Sequence, residues 1–387
     1  MKKATFLLLS IFALLLAGCE KASEGNARTS EDTTAAPYVL QTDPADRSQS
    51  LRTVGFVETG EGCYYVGSKT MSSGGGRGKF IFFCPRGENN WYILCSKPEC
   101  KHKDENCNAY AGSGWFGYYD GALYTINDAL DCFHVVKRNL DGTDHQIVAT
   151  VDLKQRGGYE GAFHHGRFLL RTANDGLEGA ENLPDYLIAV DLADDSQTEP
   201  LAEYLQTEKL PLDTRRFYKD KVYGWGLEAD PTMTELDLAS GAVKKRDIGY
   251  ITGLYATDST LYYYLPEESE VDGKKLEAGF WEYDLESKTA KYCGLPVEGA
   301  TCATYDEDYI YADTLSNLDE SRMIYILSRD YQVLDQIELD GDSDLAAATS
   351  DRLYFECYSP QIMVRYYLDK SQIGSGSLQL IPMDVVG

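Results

Sequence analysis

The chain divides into three stretches by its pattern of apolar and polar positions. From Ala4 to Leu16 apolar residues run almost unbroken, interrupted only by Thr5 and Ser10. That run falls short of the ~20 residues a membrane-crossing helix needs. From Glu20 to Pro37 the sequence E-K-A-S-E-G-N-A-R-T-S-E-D-T-T-A-A-P has no apolar period. It cannot bury enough surface to fold, so it predicts an extended tether. From about residue 52 onward, short alternating runs of aromatic and β-branched residues are separated by Asp, Gly, Asn and Ser. That alternation predicts strands joined by turns, and no apolar helical stripe longer than about three turns interrupts it.

The strand runs repeat. A turn followed by a strand opening on an apolar pair recurs as G-C-Y-Y-V, G-A-L-Y-T-I, G-R-F-L-L, D-K-V-Y-G-W, S-T-L-Y-Y-Y, D-Y-I-Y-A and D-R-L-Y-F. The aligned positions are Tyr64, Tyr124, Leu169, Tyr223, Tyr262, Tyr311 and Tyr354, spaced 39 to 60 residues apart. A second landmark follows most of them, a strand ending in Asp-Leu or a near equivalent: Asn139-Leu140, Asp191-Leu192, Asp237-Leu238, Asp284-Leu285, and Leu368 after Tyr367. Four strands per unit of about 40–50 residues predict an all-β chain built as a β-propeller. One four-stranded sheet cannot bury both faces alone; a closed ring of such sheets buries them against neighbours and protects the edges. The expectation is seven four-stranded blades, with six or eight as alternatives. Tyrosine is abundant, 29 against 13 Phe and 4 Trp, as suits wide sheet faces that need large flat side chains between them.

Short matches such as Asp120-Gly121-Ala122-Leu123-Tyr124 resemble the aromatic repeats of YWTD-like six- and seven-bladed propellers. The resemblance spans most of residues 52–383 in architecture and implies a fold without a function. A different resemblance sits at the start. Met1-Lys2-Lys3, the apolar run and Leu16-Ala17-Gly18-Cys19 together describe an export signal, and L-A-G-C resembles the lipobox of bacterial lipoproteins. Membership of that group implies that residues 1–18 are removed and that Cys19 carries diacylglycerol, with palmitate-type acyl chains. It also implies that residues 19–50 form a lipidated tether and that the propeller, residues 51–387, is held on the extracytoplasmic face of the cell membrane. Two acyl chains on one residue suffice for stable anchoring.

Charge narrows the partners. Against 36 Lys and Arg stand 62 Asp and Glu, a net charge of −26. A nucleic-acid partner is excluded, because no cationic surface offsets phosphate; docking on anionic lipid by charge alone is excluded with it.

Ten cysteines are present. With Cys19 assigned to lipid, four of the other nine fall within residues 84–107, in a segment that reads Cys95-Ser96-Lys97-Pro98-Glu99-Cys100-Lys101-His102 and continues to Cys107. Three readings stay open. Disulfides among Cys95, Cys100 and Cys107 would suit an exported protein. A Cys3His zinc site from Cys95, Cys100, His102 and Cys107 has the ligand types of tetrahedral zinc, at a spacing of C-x4-C-x-H-x4-C rather than paired C-x2-C knuckles. Free thiols are the third. The string C-S-K-P-E-C-K-H…C-N-A resembles one found in uncharacterised extracytoplasmic bacterial lipoproteins with propeller-like repeats, which implies address and fold and no activity. Cys132, Cys293, Cys302 and Cys357 read as small apolar strand residues.

Motifs with a catalytic mechanism are absent: the sequence has no H-E-x-x-H, no G-x-S-x-G and no phosphate-cradling loop. The run Ser73–Gly78 reads as a hairpin tip. Asp340-Gly341-Asp342-Ser343-Asp344 lacks the glycine and glutamate of a calcium loop and, like Asp306-Glu307-Asp308, reads as a turn carrying surface charge. His164 and His165 stand at a strand–turn junction, and His134 alternates with apolar neighbours in a strand. The function expected is therefore a membrane-anchored scaffold that binds an unknown protein or glycan ligand and is not an enzyme. The alternative is an extracellular hydrolase or lyase acting on carbohydrate or peptide at the channel mouth. Trp115 and Trp225 would stack on sugars in a glycan binder and pack between sheets otherwise. Four Trp without regular spacing depart from the docking motifs of propeller lipoproteins that help assemble outer-membrane barrels.

Overall fold

The structure is a computed structural model that describes residues 55–70, 77–112, 115–128, 132–152, 159–164, 167–172, 184–192, 196–197, 202–205, 214–218, 221–225, 232–240, 242–257, 259–271, 273–314, 322–358 and 363–386. Strands form antiparallel sheets in chain order. The first sheet contains Phe56–Glu58, Gly62–Thr70, Arg77–Pro85 and Asn90–Ile93. The second contains Phe116–Tyr119, Ala122–Asp128, Cys132–Arg138 and Gln146–Asp152. In the third, Tyr159–His164, Arg167–Thr172 and Pro184–Asp191 are followed by two short edge strands, Ser196–Gln197 and Ala202–Leu205, that both pair with Pro184–Asp191. The fourth runs Thr214–Tyr218, Lys221–Trp225, Thr232–Asp237 and Val243–Asp247. The fifth runs Gly253–Ala256, Thr260–Leu265, Gly279–Asp284 and Thr289–Gly294, with a separate hairpin of Ser269–Val271 and Lys274–Leu276 inserted. The sixth is Cys302–Tyr305, Tyr309–Thr314, Arg322–Ser328 and Val333–Leu339; the last is Ser343–Ala348, Arg352–Cys357, Met363–Asp369 and Ile381–Pro382. The chain is thus all-β, and this succession of meanders is a β-propeller.

The sequence landmarks fall in register with it. Tyr64, Tyr124, Leu169, Tyr223, Tyr262, Tyr311 and Tyr354 all lie on the second strand of their sheets. The Asp-Leu marks fall at the ends of third strands, and the physical reason is visible at two of them. The Asp237 and Asp284 carboxylates accept the backbone N–H of Ser240 and Ser287 at 2.8 and 2.6 Å, closing the turn that starts the outer strand. Asp369, one residue past the last mark, caps the short 3-10 helix Lys370–Gln372 by accepting the Ser371 N–H at 2.8 Å.

Burial runs radially. All six residues of the inner strand Ser343–Ala348 are buried, whereas Val243–Asp247 at an outer edge is almost wholly exposed. Inner strands approach so closely that a Cβ on Gly253 would lie 2.0 Å from the Ala303 carbonyl oxygen; only glycine fits there.

The ring closes through the C-terminus. Asp384–Val386 adds a fifth strand to the first sheet, parallel to Asn90–Ile93, with Val385 opposite Trp91. Around this seam Tyr367 Oη donates to Asn89 Oδ1 at 2.8 Å and an Arg352 Nη1–H donates to the Glu88 carbonyl at 2.8 Å. The Ser350 N–H and hydroxyl both donate to the Glu58 carboxylate, which also meets Arg86 at 3.0 Å. Among the described residues no helix is long and apolar enough to cross a membrane.

Candidate metal centre

The crossover from the first sheet to the second, Leu94–Trp115, is long and polar. Its few buried apolar residues are Leu94, Ala109, Ala111 and Trp115. Two local turns shape it: the Cys100 N–H donates to the Lys97 carbonyl and the Cys107 N–H to the Asp104 carbonyl, both at 3.1 Å. Asp104 Oδ1 accepts the Asn106 N–H at 3.0 Å, an Asx turn. The segment then returns along the third strand of the first sheet. The Ile81 N–H donates to the Ala109 carbonyl at 2.7 Å and the Ala111 N–H to the Lys79 carbonyl at 2.9 Å. Ala109–Ala111 thereby continues the outer edge of the sheet where Asn90–Ile93 stops. From the second sheet the buried Arg138 donates to the Asn108 and Tyr110 carbonyls at 2.6 and 3.1 Å and to Thr125 Oγ1 at 2.7 Å.

These turns bring Cys95, Cys100, His102 and Cys107 together, with one ligand atom from each lying within 4.8 Å of all the others. His102 Nδ1 is 3.4 Å from Cys107 Sγ. A zinc tetrahedron built from ordinary Zn–S and Zn–N bonds has edges of about 3.8 Å between sulfurs and about 3.5 Å between sulfur and nitrogen, so a contraction of about 1 Å at the widest edge completes one. His102 sits in the left-handed region, φ 50°, which turns its ring back toward the thiols.

Backbone N–H groups face the sulfurs, and burial opposes them. The His102 N–H points at Cys100 Sγ at 3.4 Å. Burial works to raise the Cys95 thiol, but the N–H groups of Lys97 and Asn108 and the neighbouring Cys107 and Cys100 outweigh it and hold Cys95 below the ordinary thiol value. Burial pushes the Cys107 thiol well up, against the lowering effect of the Ala109 N–H. Each cysteine therefore receives an N–H from the residue two positions on. Burial, then Lys69, holds the His102 imidazole below its usual value and so neutral, the form that ligates metal. No disulfide joins any two of these cysteines in the structure.

Other sequence candidates are placed elsewhere. Cys19, the lipidation candidate, and His165 lie outside the described residues; His164 ends the first strand of the third sheet. His134 pairs across strands with Thr150 Oγ1 at 3.2 Å and belongs to no cluster with His102. Trp115 is buried against Phe163 and Phe168, with ring centroids 5.8 and 4.8 Å away, so it packs between sheets.

The expectation of surface charge in the two acidic turns holds for Glu307, Asp308, Asp340 and Asp342, which are exposed, and is corrected for Asp306 and Asp344. Asp306 is buried because its carboxylate accepts from the Asp308 and Tyr309 N–H groups, the Tyr311 hydroxyl and Lys370 Nζ. Asp344 is buried because it pairs with Arg322 at 3.1 Å. Sequence reasoning missed this Asp313–Arg322–Asp344 cluster, whose acids line a small cavity with Cys302, Thr304, Tyr311, Ile324 and Leu345. The available signal was a charged residue inside the apolar run Tyr309–Thr314.

No family model and no curated protein matches the sequence. Solved structures do match in fold. One of two prolyl endopeptidases gives a TM-score of 0.55 at 12% identity over 87% of this chain and 51% of that one. The acylaminoacyl peptidase of Pyrococcus horikoshii gives 0.52 at 10% identity over 84% and 52%. The β-propeller domain of the Trilobed protease from Pyrococcus furiosus gives 0.49 at 11% identity over 85% and 98%. This chain spans about half the length of the two peptidases. At such identities the likeness concerns the fold alone.

Proposed function

We propose that the protein is a lipid-anchored extracytoplasmic propeller of seven blades that presents a rigid surface to a protein or glycan ligand. In this reading it carries zinc on Cys95, Cys100, His102 and Cys107. The observation that carries the scaffold reading is how the charged side chains of the described residues are used. Asp313, Arg322 and Asp344 satisfy one another, as do Asp306 and Lys370, and Glu58 with Arg86 and Ser350. These groups hold neighbouring strands and sheets together instead of converging on a substrate. Seven sheets of four or five strands in succession support the blade count. L-A-G-C at residues 16–19 supports the anchor.

The anchor is tested by mass spectrometry of the N-terminal peptide from the membrane fraction. Cys19 bearing diacylglycerol is the expected result, with Cys19→Ala shed from the membrane; an unmodified Cys19 in membrane-bound protein contradicts it. Scaffolding is tested with purified mature protein on a panel of cell-wall glycans and peptides: saturable binding with the ligand recovered intact supports it, and turnover of the ligand contradicts it.

A further inference from the structure

The position of the cysteine cluster gives the metal a job, and this step rests on the zinc reading above. Cys95 stands two residues after Asn90–Ile93, the strand that receives Asp384–Val386 and closes the ring. Cys107 stands just before Ala109–Ala111, which hydrogen-bonds the third strand of the same sheet. Between them Cys100 and His102 sit on a loop whose residues Lys101, Lys103, Glu105 and Asn106 are exposed or polar and bring no apolar anchor. Both halves of this sheet edge pair with Arg77–Pro85, the Leu94 N–H meets the Ile81 carbonyl at 3.0 Å and Lys97 Nζ donates to the Asn106 carbonyl at 2.6 Å; the cluster adds a side-chain tie between the two arms of the loop.

We infer that Cys95, Cys100, His102 and Cys107 form a closed structural zinc site that latches the outer edge of the first sheet and so secures the ring-closing strand. Four protein ligands fill a tetrahedron and leave no position for water or substrate, which is the arrangement of structural rather than catalytic zinc. The backbone N–H groups aimed at the sulfurs play the outer-shell role of stabilising thiolate and fixing its direction. A soft thiolate-rich set with one imidazole selects zinc over the hard cations magnesium and calcium. Coordination exchanges thiol protons for metal, with the protons released to solvent and no change in oxidation state. When the metal leaves, the 22-residue crossover loses its side-chain tie, and the strand Asn90–Ile93 loses the restraint at Cys95 just beyond its end. The C-terminal strand is only three residues long, Asp384–Val386, and depends on that partner.

The test uses the full mature chain, purified without chelator. Metal content and intact mass are measured first, then amide hydrogen exchange with and without a strong zinc chelator under reducing conditions. One zinc per chain is expected, with peptides covering 90–93, 95–111 and 384–386 exchanging at least tenfold faster after removal. Peptides from Thr260–Leu265, on the fifth sheet, should be unchanged. A chain with no stoichiometric zinc, or with a mass 2 Da low from a disulfide within 95–107, overturns both the zinc reading and the latch. One zinc per chain with unaltered exchange at 384–386 overturns the latch alone. Cys107→Ser should lose the zinc and show the fast exchange from the start, whereas Cys132→Ser, outside the cluster, should keep both zinc and protection. Cobalt offered in place of zinc should give the intense thiolate-to-metal absorption and visible bands of a tetrahedral site; a pale octahedral spectrum contradicts the assignment.

Discussion

Two boundaries between neighbouring sheets reach one buried core through links of very different length and polarity. From the sixth sheet to the last, the link is Asp340–Asp342, closed by a Ser343 N–H to Asp340 carbonyl bond of 2.9 Å. Tyr311, Ile324 and Ile326 on one side share a single buried core with Leu345, Ala347 and Leu353 on the other. The charges there, Asp313, Arg322 and Asp344, form a complete cluster. From the first sheet to the second, the link is 22 residues long and mostly polar; its ends reach the same core through Leu94, Ala109 and Ala111, and its middle is held by backbone bonds, Arg138 and four ligand atoms. The first boundary draws its stability from apolar burial. Loops of the second kind open independently of the core unless something local ties them. The comparison teaches that a propeller can keep its sheets together by burial and still use a heteroatom tie where a long polar crossover enters that core only at its ends, through Leu94, Cys107, Ala109 and Ala111.

The largest effect separating the two boundaries should come from Arg322→Ala. Removing the guanidinium leaves Asp313 and Asp344 buried without a counter-charge, which costs about 3–5 kcal/mol for a broken buried pair. Urea denaturation should show the loss equally with and without chelator; a chelator-dependent loss would mean that the two boundaries are coupled. A smaller change is expected from Cys107→Ser, about 0.5–3 kcal/mol, because the crossover can open while the sheets stay folded. Its diagnostic feature is that the variant's unfolding midpoint no longer responds to chelator; a response equal to the parent's would place the metal elsewhere.

The sequence made the repeat legible because its signals are local. Tyr64 through Tyr354 alternate with their neighbours, and the Asp-Leu marks are self-contained turns such as Asp284 with Ser287. The donor set of Cys95, Cys100, His102 and Cys107 could be written down from the sequence, yet the choice between staple and metal could not, because spacing says nothing about which sulfur the Lys97, His102 and Ala109 N–H groups face. The Asp313–Arg322–Asp344 cluster was invisible for the same reason: it joins a second strand, a third strand and the next sheet's inner strand, and only tertiary packing brings these together. The buried Asp306 was misread because Lys370, its counter-charge, is 64 positions away.

The smallest effect concerns acid. Hydrogen bonds from the Ser240, Ser287 and Ser371 hydroxyl or backbone groups hold the Asp237, Asp284 and Asp369 carboxyls below the ordinary carboxylate value. A depressed folded value means that each contribution is fully present above the unfolded pKa of about 3.9 and fades as pH falls through the lower folded one. Stability should therefore decline below about pH 4 by way of these exposed turns. Asp237→Asn should flatten that decline slightly, measured as the difference in urea midpoint between pH 5 and pH 3. An unchanged difference would remove Asp237 from the acid response.

The most direct measurement is X-ray absorption at the zinc edge of the purified mature protein. The expected spectrum has three sulfurs at about 2.3 Å and one nitrogen at about 2.0–2.1 Å. A shell of oxygen and nitrogen alone, or protein with no bound zinc, would contradict the claim that a metal ties the crossover between the first two sheets.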